Sequence, residues 1–289
     1  MFKGSFTAIA TPHKADGSID EKKFRELIEF QIKNGINGIV PCGCTGEAAT
    51  MSHSDQKRLI KISVETAAKR VMVIAGTGSN YTDEAIDLTK FAKKAGADAS
   101  LSIMPYYNKP TPKGQYLHYE KIAGESDMPI MLYNVPSRTG ISIQPETVAR
   151  LSKIDNIIAI KEAGGSMDQV SRILSLCDIT VLSGDDSLTL PMLLLGAKGV
   201  VSVAANIMPK EVAAMVEMAL DGRYEEARKI HFKLLPVFKG LFIETNPIPV
   251  KTAMSLMNLI EANWRLPLCP MTGENETKWK KILKEADLI

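Results

Sequence analysis

The chain has 289 residues, 45% of them hydrophobic and 24% charged, the balance of an ordinary globular protein. That length suits a single α/β barrel or two smaller domains. With 35 Lys and Arg against 33 Asp and Glu the net charge is +2, without a long run of either sign, so a surface built for a phosphate backbone, and with it a nucleic-acid partner, is not expected.

The N-terminal stretch MFKGSFTAIATPHK has neither a useful apolar segment nor a cleavage-like site, so no signal peptide is expected. Eight short apolar runs then recur, at 6–10, 38–41, 71–75, 99–104, 129–133, 157–161, 179–182 and 200–203. Each reads as a buried strand, and their starts lie roughly twenty to thirty-three residues apart, the pitch of a strand–helix unit. The runs do not alternate polar with apolar, as befits strands covered on both faces.

Helix signals fill the intervals. Ser18-Ile19-Asp20-Glu21 matches a capping box ahead of Phe24, Leu27, Ile28 and Ile32, with Gly35 as the stop. Ser52 opens a second helix carrying Leu59 and Ile62, and a third spans 82–95 and closes at Gly96. Pro145 sits at a first-turn position ahead of Val148 and Leu151, and Val170, Ile173 and Leu174 mark another helix. After about residue 207 the pattern is purely helical, at 209–221, 224–240, 247–260 and 275–287. The densest apolar region, 188–207, is broken by Gly196, Lys198 and Gly199. No stretch reaches the ~18 apolar residues of a membrane helix, so no membrane partner is expected.

These signals predict a (β/α)8 TIM barrel over residues 1–224 and a C-terminal helical extension over 225–289. A doubly wound open sheet would carry a glycine-rich turn after its first strand, where Ala10-Thr11-Pro12-His13 stands instead. Cys42, Cys44, Cys177 and Cys269 make no disulfide framework and read as free thiols of a reducing cytoplasm. His13, His53, His118 and His231 are scattered, which predicts no metal centre.

A barrel of this kind works at the C-terminal ends of its strands. There the chain places Thr11, Cys44, Thr45, Thr77, Ser79, Tyr106, Tyr107, Asn108, Tyr133, Asn134, Lys161, Glu162, Asp185, Asp186 and Asn206. Lys161 follows an apolar strand, and an amine desolvated in the barrel mouth loses its proton more easily and becomes a nucleophile. A lysine snorkelling past the strand end, or paired with Glu162, is the alternative. Tyr133 ends the preceding strand, close enough to shuttle protons for imine chemistry, although taken alone it reads better as a core tyrosine with its hydroxyl bonded to backbone. The turn Gly43-Cys44-Thr45-Gly46-Glu47 could hold a carboxylate through its amides and the Thr45 hydroxyl, or be simply a tight turn. Arg138, read as lying on a loop after Tyr133, suits bidentate carboxylate binding and is otherwise a surface arginine.

Taken together, Gly43-Cys44-Thr45-Gly46-Glu47, Pro105-Tyr106-Tyr107-Asn108, the 133–140 segment from Tyr133 through Arg138 to Gly140, Ile160-Lys161-Glu162, Gly184-Asp185-Asp186 and the 246–251 segment resemble the 4-hydroxy-tetrahydrodipicolinate (dihydrodipicolinate) synthase family. That family belongs to the pyruvate-dependent class I aldolases, alongside N-acetylneuraminate lyase. The resemblance implies an imine between Lys161 and pyruvate whose enamine attacks L-aspartate 4-semialdehyde, on the diaminopimelate route to lysine. It implies Tyr133 as acid and base, a relay through Cys44 and a Tyr107 from a neighbouring subunit, and no metal or organic cofactor. Thr45 and Val201 would bind pyruvate, and Arg138 the carboxylate of the semialdehyde. It also implies a cytoplasmic homotetramer built from dimers. Ala49, His53, Asn80, Glu84 and Tyr106 match the positions at which family members bind L-lysine as a feedback ligand, while Ala48 and Gln56 depart from the serine and histidine found there. Cys44 stands where the family relay has a threonine, and a thiol is the weaker hydrogen-bond donor. An aldolase for 2-keto-3-deoxy sugar acids and a catalytically silent binding barrel are the competing readings.

Overall fold

In the computed structural model, which describes residues 2–289, eight parallel strands close into a barrel in sequential order, β8 pairing back onto β1. The strands are β1 (Gly4–Thr7), β2 (Gly38–Ile39), β3 (Met72–Gly76), β4 (Ala99–Ile103), β5 (Ile130–Asn134), β6 (Ile157–Glu162), β7 (Thr180–Ser183) and β8 (Gly199–Ser202). Outside them run α1 (Glu21–Lys33), α2 (His53–Ala67), α3 (Thr82–Ala95), α4 (Pro112–Ser126), α5 (Pro136–Thr139), α6 (Pro145–Leu151), α7 (Met167–Leu176), α8 (Thr189–Leu194) and α9 (Pro209–Leu220). Three further helices follow: α10 (Tyr224–Gly240), α11 (Ile248–Leu256) and α12 (Gly273–Glu285). Among the described residues no helix is long and apolar enough to cross a membrane.

Strand side chains divide between the barrel interior and the layer outside it, where Ile39, Val73, Ala75 and Val200 join one cluster. Phe6, Ile74, Leu101, Met131, Tyr133, Ala159, Leu182 and Val201 cluster inside the barrel. Leu132, Ile160 and Val181, their chain neighbours, join a second cluster between strands and helices. This two-sided burial explains why the runs read as continuously apolar.

The elements depart from expectation in local ways. The first ladder stops at Thr7, short of the apolar run to residue 10. Ala8 and Ile9 leave it to donate to Ser202 and Val40 carbonyls as the chain bends over the barrel mouth. The α1 cap is Asp20, whose carboxylate accepts from the Lys23 amide, and not Ser18. Ser18 is held in the preceding turn, where its amide and hydroxyl both donate to Asp16. Ser52 caps α2, and α3 runs from Thr82 to Ala95 with Gly96 in the left-handed region at φ +93°, both as expected. The helix expected over 247–260 ends at Leu256, before Asn258 turns to φ +59°.

The C-terminal helices cover one side of the barrel. Trp279 of α12 is fully buried, its indole N–H donating to the Pro249 carbonyl at 2.8 Å. A Cβ on Gly240 would come within 2.2 Å of that ring, so α10 and α12 meet only because residue 240 has no side chain. Through the 241–251 segment this extension also reaches the barrel mouth.

Candidate active site

Lys161 and Tyr133 face each other across β5 and β6, where they are register partners. Both point inward by the alternation that sends Ile160 and Leu132 outward. Lys161 is only 5% exposed, and burial pushes its ammonium down to about 8, although Cys44 and Asp186 work the other way. The amine lies over the face of the Tyr133 ring, 4.2 Å from its centroid, and not at the hydroxyl. Burial first, and then the neighbouring Cys44, hold the Tyr133 phenol well above its ordinary range, with Arg138 opposing. The phenol therefore carries its proton at neutral pH.

Gly184 makes room for the lysine. A Cβ there would fall 2.8 Å from Lys161 Cε and 2.7 Å from the Ala163 side chain. Asp186, buried two residues on, accepts from the Val203 and Ala204 amides at 3.0 Å and from the Ser202 hydroxyl. It thereby ties the end of β8 to β7. On the outer side of β6, the Glu162 carboxylate is held by Asn134, Gln169 and the Gly164 amide, so it is not the partner of the lysine beside it.

The 43–47 turn forms the opposite wall. Thr45 is buried and its hydroxyl accepts from Asn246 Nδ2 at 3.0 Å. The Gly46 carbonyl accepts from the Thr11 hydroxyl at 2.8 Å. Arg138 lies in the one-turn helix α5 and not on a loop, because Pro136 and the left-handed Gly140 (φ +73°) bracket a single helical turn. Its guanidinium donates to the Asn246 carbonyl at 2.6 Å.

These groups line one cavity of about 570 Å³, which holds Cys44, Thr45, Tyr133, Arg138, Lys161 and Gly184. Phe242, Glu244 and Asn246 complete its wall from the C-terminal extension. From the β8 side the lining residue is Val203, whereas Val201 sits in the barrel core and is fully buried. An adjoining cavity of about 250 Å³ shares Cys44, Tyr133 and Arg138 with the first. Its other walls include Ala48, Ala49, Gln56 and Tyr106. Next to these, Glu84 accepts from the Ser79 hydroxyl at 2.8 Å and faces His53 Nε2 at 3.6 Å, while the Asn80 carbonyl accepts from Asn108. Tyr107 joins neither cavity in its own chain: it is 90% exposed, with φ at +68°, a backbone conformation uncommon for a tyrosine.

The model of the dihydrodipicolinate synthetase family matches residues 1–286. The chain belongs to this family. The 4-hydroxy-tetrahydrodipicolinate synthase of Geotalea uraniireducens is 56% identical over 291 residues, covering 100% of both chains. Two solved dihydrodipicolinate synthases superpose over 100% of this chain. The chloride-inhibited enzyme of Acinetobacter baumannii complexed with pyruvate does so at TM-score 0.98 and 42% identity, over 100% of its own chain. The enzyme of Cyanidioschyzon merolae with lysine bound does so at 0.97 and 40%, over 99% of its chain.

Within this dihydrodipicolinate synthetase family member, sequence reasoning missed the residues that arrive from outside the strand ends. Phe242, Glu244 and Thr245 lie on the cavity wall without any motif that marks them. Gly184 was visible only as part of a Gly-Asp-Asp motif, and nothing in the sequence says that its missing side chain leaves space for a lysine.

Proposed function

We propose that the chain is a 4-hydroxy-tetrahydrodipicolinate synthase that condenses pyruvate with L-aspartate 4-semialdehyde in the diaminopimelate route to lysine. The observation that carries the reading is Lys161, a buried amine pushed down to about 8, facing a cavity with a proton-carrying phenol. The neutral amine adds to the pyruvate ketone, and the carbinolamine loses water as the Tyr133 phenol supplies the proton. The resulting imine loses a C3 proton to become an enamine. Its carbon attacks the aldehyde of the semialdehyde, whose oxygen takes up a proton. The semialdehyde's own amine then adds to the imine carbon, closes the ring and displaces Lys161.

In this reading Thr45 and the amides of its turn hold the pyruvate carboxylate, with Val201 supporting the pocket from the barrel core. Arg138 holds the semialdehyde carboxylate. Cys44, lying beside Tyr133, passes the proton onward to Tyr107 of a second copy of the chain, for which its outward position is suited. That relay needs at least a dimer, and the resemblance to the family extends the assembly to a homotetramer built from dimers. Residues 1–224 supply the barrel chemistry, and 225–289 brace it and complete the cavity wall. The assay that tests the reading offers pyruvate together with either the semialdehyde or a sugar aldehyde. Heterocycle formation from the first alone is expected, and turnover only of the sugar aldehyde would assign the chain to a sugar-acid aldolase.

L-lysine is the proposed feedback ligand, bound next to the smaller cavity by Glu84, His53, Asn80, Tyr106 and Ala49. The Glu84 carboxylate has the charge to pair with an ammonium group of the ligand. L-lysine should inhibit at millimolar concentration, and Glu84→Ala should abolish the inhibition while sparing turnover. Unchanged inhibition in that variant would put the ligand elsewhere.

A further inference from the structure

A second lysine, Lys251, is more deeply buried than Lys161, at 1% exposure, and the chemistry above makes no use of it. It sits on α11, with its ammonium 2.6 Å from Glu47 Oε1 and 3.2 Å from His13 Nδ1. Among the described residues it is the only hydrogen-bond donor to the Glu47 carboxylate. Burial works against both charges, raising the Glu47 carboxyl and lowering the Lys251 ammonium, while each charge opposes the other's shift. His13 is driven down to about 3, first by burial and then by Lys251 and Arg265, so it stays neutral and accepts from the lysine.

An ion pair in such a place is a poor source of stability, because desolvation offsets the attraction. Its location gives it another use. Glu47 is the last residue of the 43–47 turn and adopts the left-handed conformation at φ +61°, which is strained for a residue with a side chain. Two residues earlier stands Thr45, itself held by Asn246 from the same C-terminal segment that carries Lys251. The segment 246–251 thus grips the turn at two points, with Asn246 on the hydroxyl and Lys251 on the carboxylate.

We propose that the Glu47–Lys251 pair, braced by His13, is a positioning device that fixes the 43–47 turn so that the Thr45 hydroxyl and the turn amides meet the carboxylate of pyruvate. The inference rests on the reading that this turn binds that carboxylate. Glu47 and Lys251 are positioning residues and touch no substrate.

The experiment measures borohydride trapping as a function of ketone concentration, with pyruvate and with acetone, which lacks the carboxylate. Thr45→Val tests the underlying reading: it should raise half-saturation for pyruvate and leave acetone unaffected. Glu47→Gln and Lys251→Met should each raise half-saturation for pyruvate by at least about tenfold, the scale of one lost charge-assisted hydrogen bond, with acetone within about twofold. The double variant Glu47→Gln/Lys251→Met removes both charges, so it should melt above either single variant and still show the pyruvate defect. It carries the test if a single variant fails to fold. A Thr45→Val effect with parental pyruvate saturation in the double variant would overturn the positioning role. Parental saturation in Thr45→Val would overturn the reading beneath it. Equal losses with pyruvate and acetone would reduce the pair to a structural brace, which also overturns the proposal.

Discussion

Lys161→Arg should lower turnover by ~10⁴-fold or more, the scale of losing a covalent nucleophile, while the barrel stays folded. Arginine keeps the positive charge over the Tyr133 ring but never becomes a neutral amine. The native amine gains its reactivity from burial. With its ammonium pushed down to about 8, about one molecule in ten carries the neutral amine at pH 7, against about one in three thousand for an ordinary lysine. Protonation removes the nucleophile, so imine formation should rise about tenfold per unit below pH 8 and level off above it. Stopped-flow measurement of imine formation against pH checks this. A profile still climbing steeply above pH 9 would mean that the site does not depress the lysine.

Cys44→Ala should cost ~10²–10⁴-fold in turnover, the usual range for a positioned proton-transfer group. The side chain lies beside the Tyr133 phenol and lines both cavities, the one with Lys161 and the smaller one beyond it. A thiol there passes a proton through longer and weaker hydrogen bonds than a hydroxyl would. Cys44→Thr should therefore keep the activity or raise it. Alkylation of Cys44 should inactivate, and pyruvate should slow the alkylation by filling the adjacent space. Near-normal turnover in Cys44→Ala with an unaltered fold would show that the thiol only fills volume.

The barrel was legible because its strands are buried on both faces, so Ile157 through Ile160 read as one apolar run whichever way each side chain points. The same burial made Lys161 conspicuous as a charge ending that run. Helices were legible where the solvent face is polar and the ends carry strong signals, as in α3 with its Gly96 stop. Neither α4 nor α8 was foreseen. The buried side of α4 includes Gln115, His118 and Ser126, which blur the apolar period. In α8 the run Leu190-Pro191-Met192-Leu193-Leu194 is apolar all round, and Leu194 and Leu195 are exposed, so no period exists to be read.

The site was legible at the strand ends and opaque elsewhere. Lys161, Tyr133, Thr45, Cys44 and Arg138, placed at or just after the ends of β2, β5 and β6, converge on one cavity. Asn246 is 201 residues from Thr45 in the chain, and Lys251 is 204 from Glu47, so no local pattern could pair them. Tyr107 is a different case. Its own chain turns it outward, so the pattern of that chain alone gives no sign of where its hydroxyl would act.

Lys161 is the amine proposed to bind pyruvate covalently. Incubation with pyruvate and borohydride, followed by peptide mass mapping, tests it most directly. One reduced pyruvate-derived adduct per chain is expected, on Lys161 alone, and none in Lys161→Arg. An adduct on Lys251 or any other lysine, or none at all in the native protein, would contradict it.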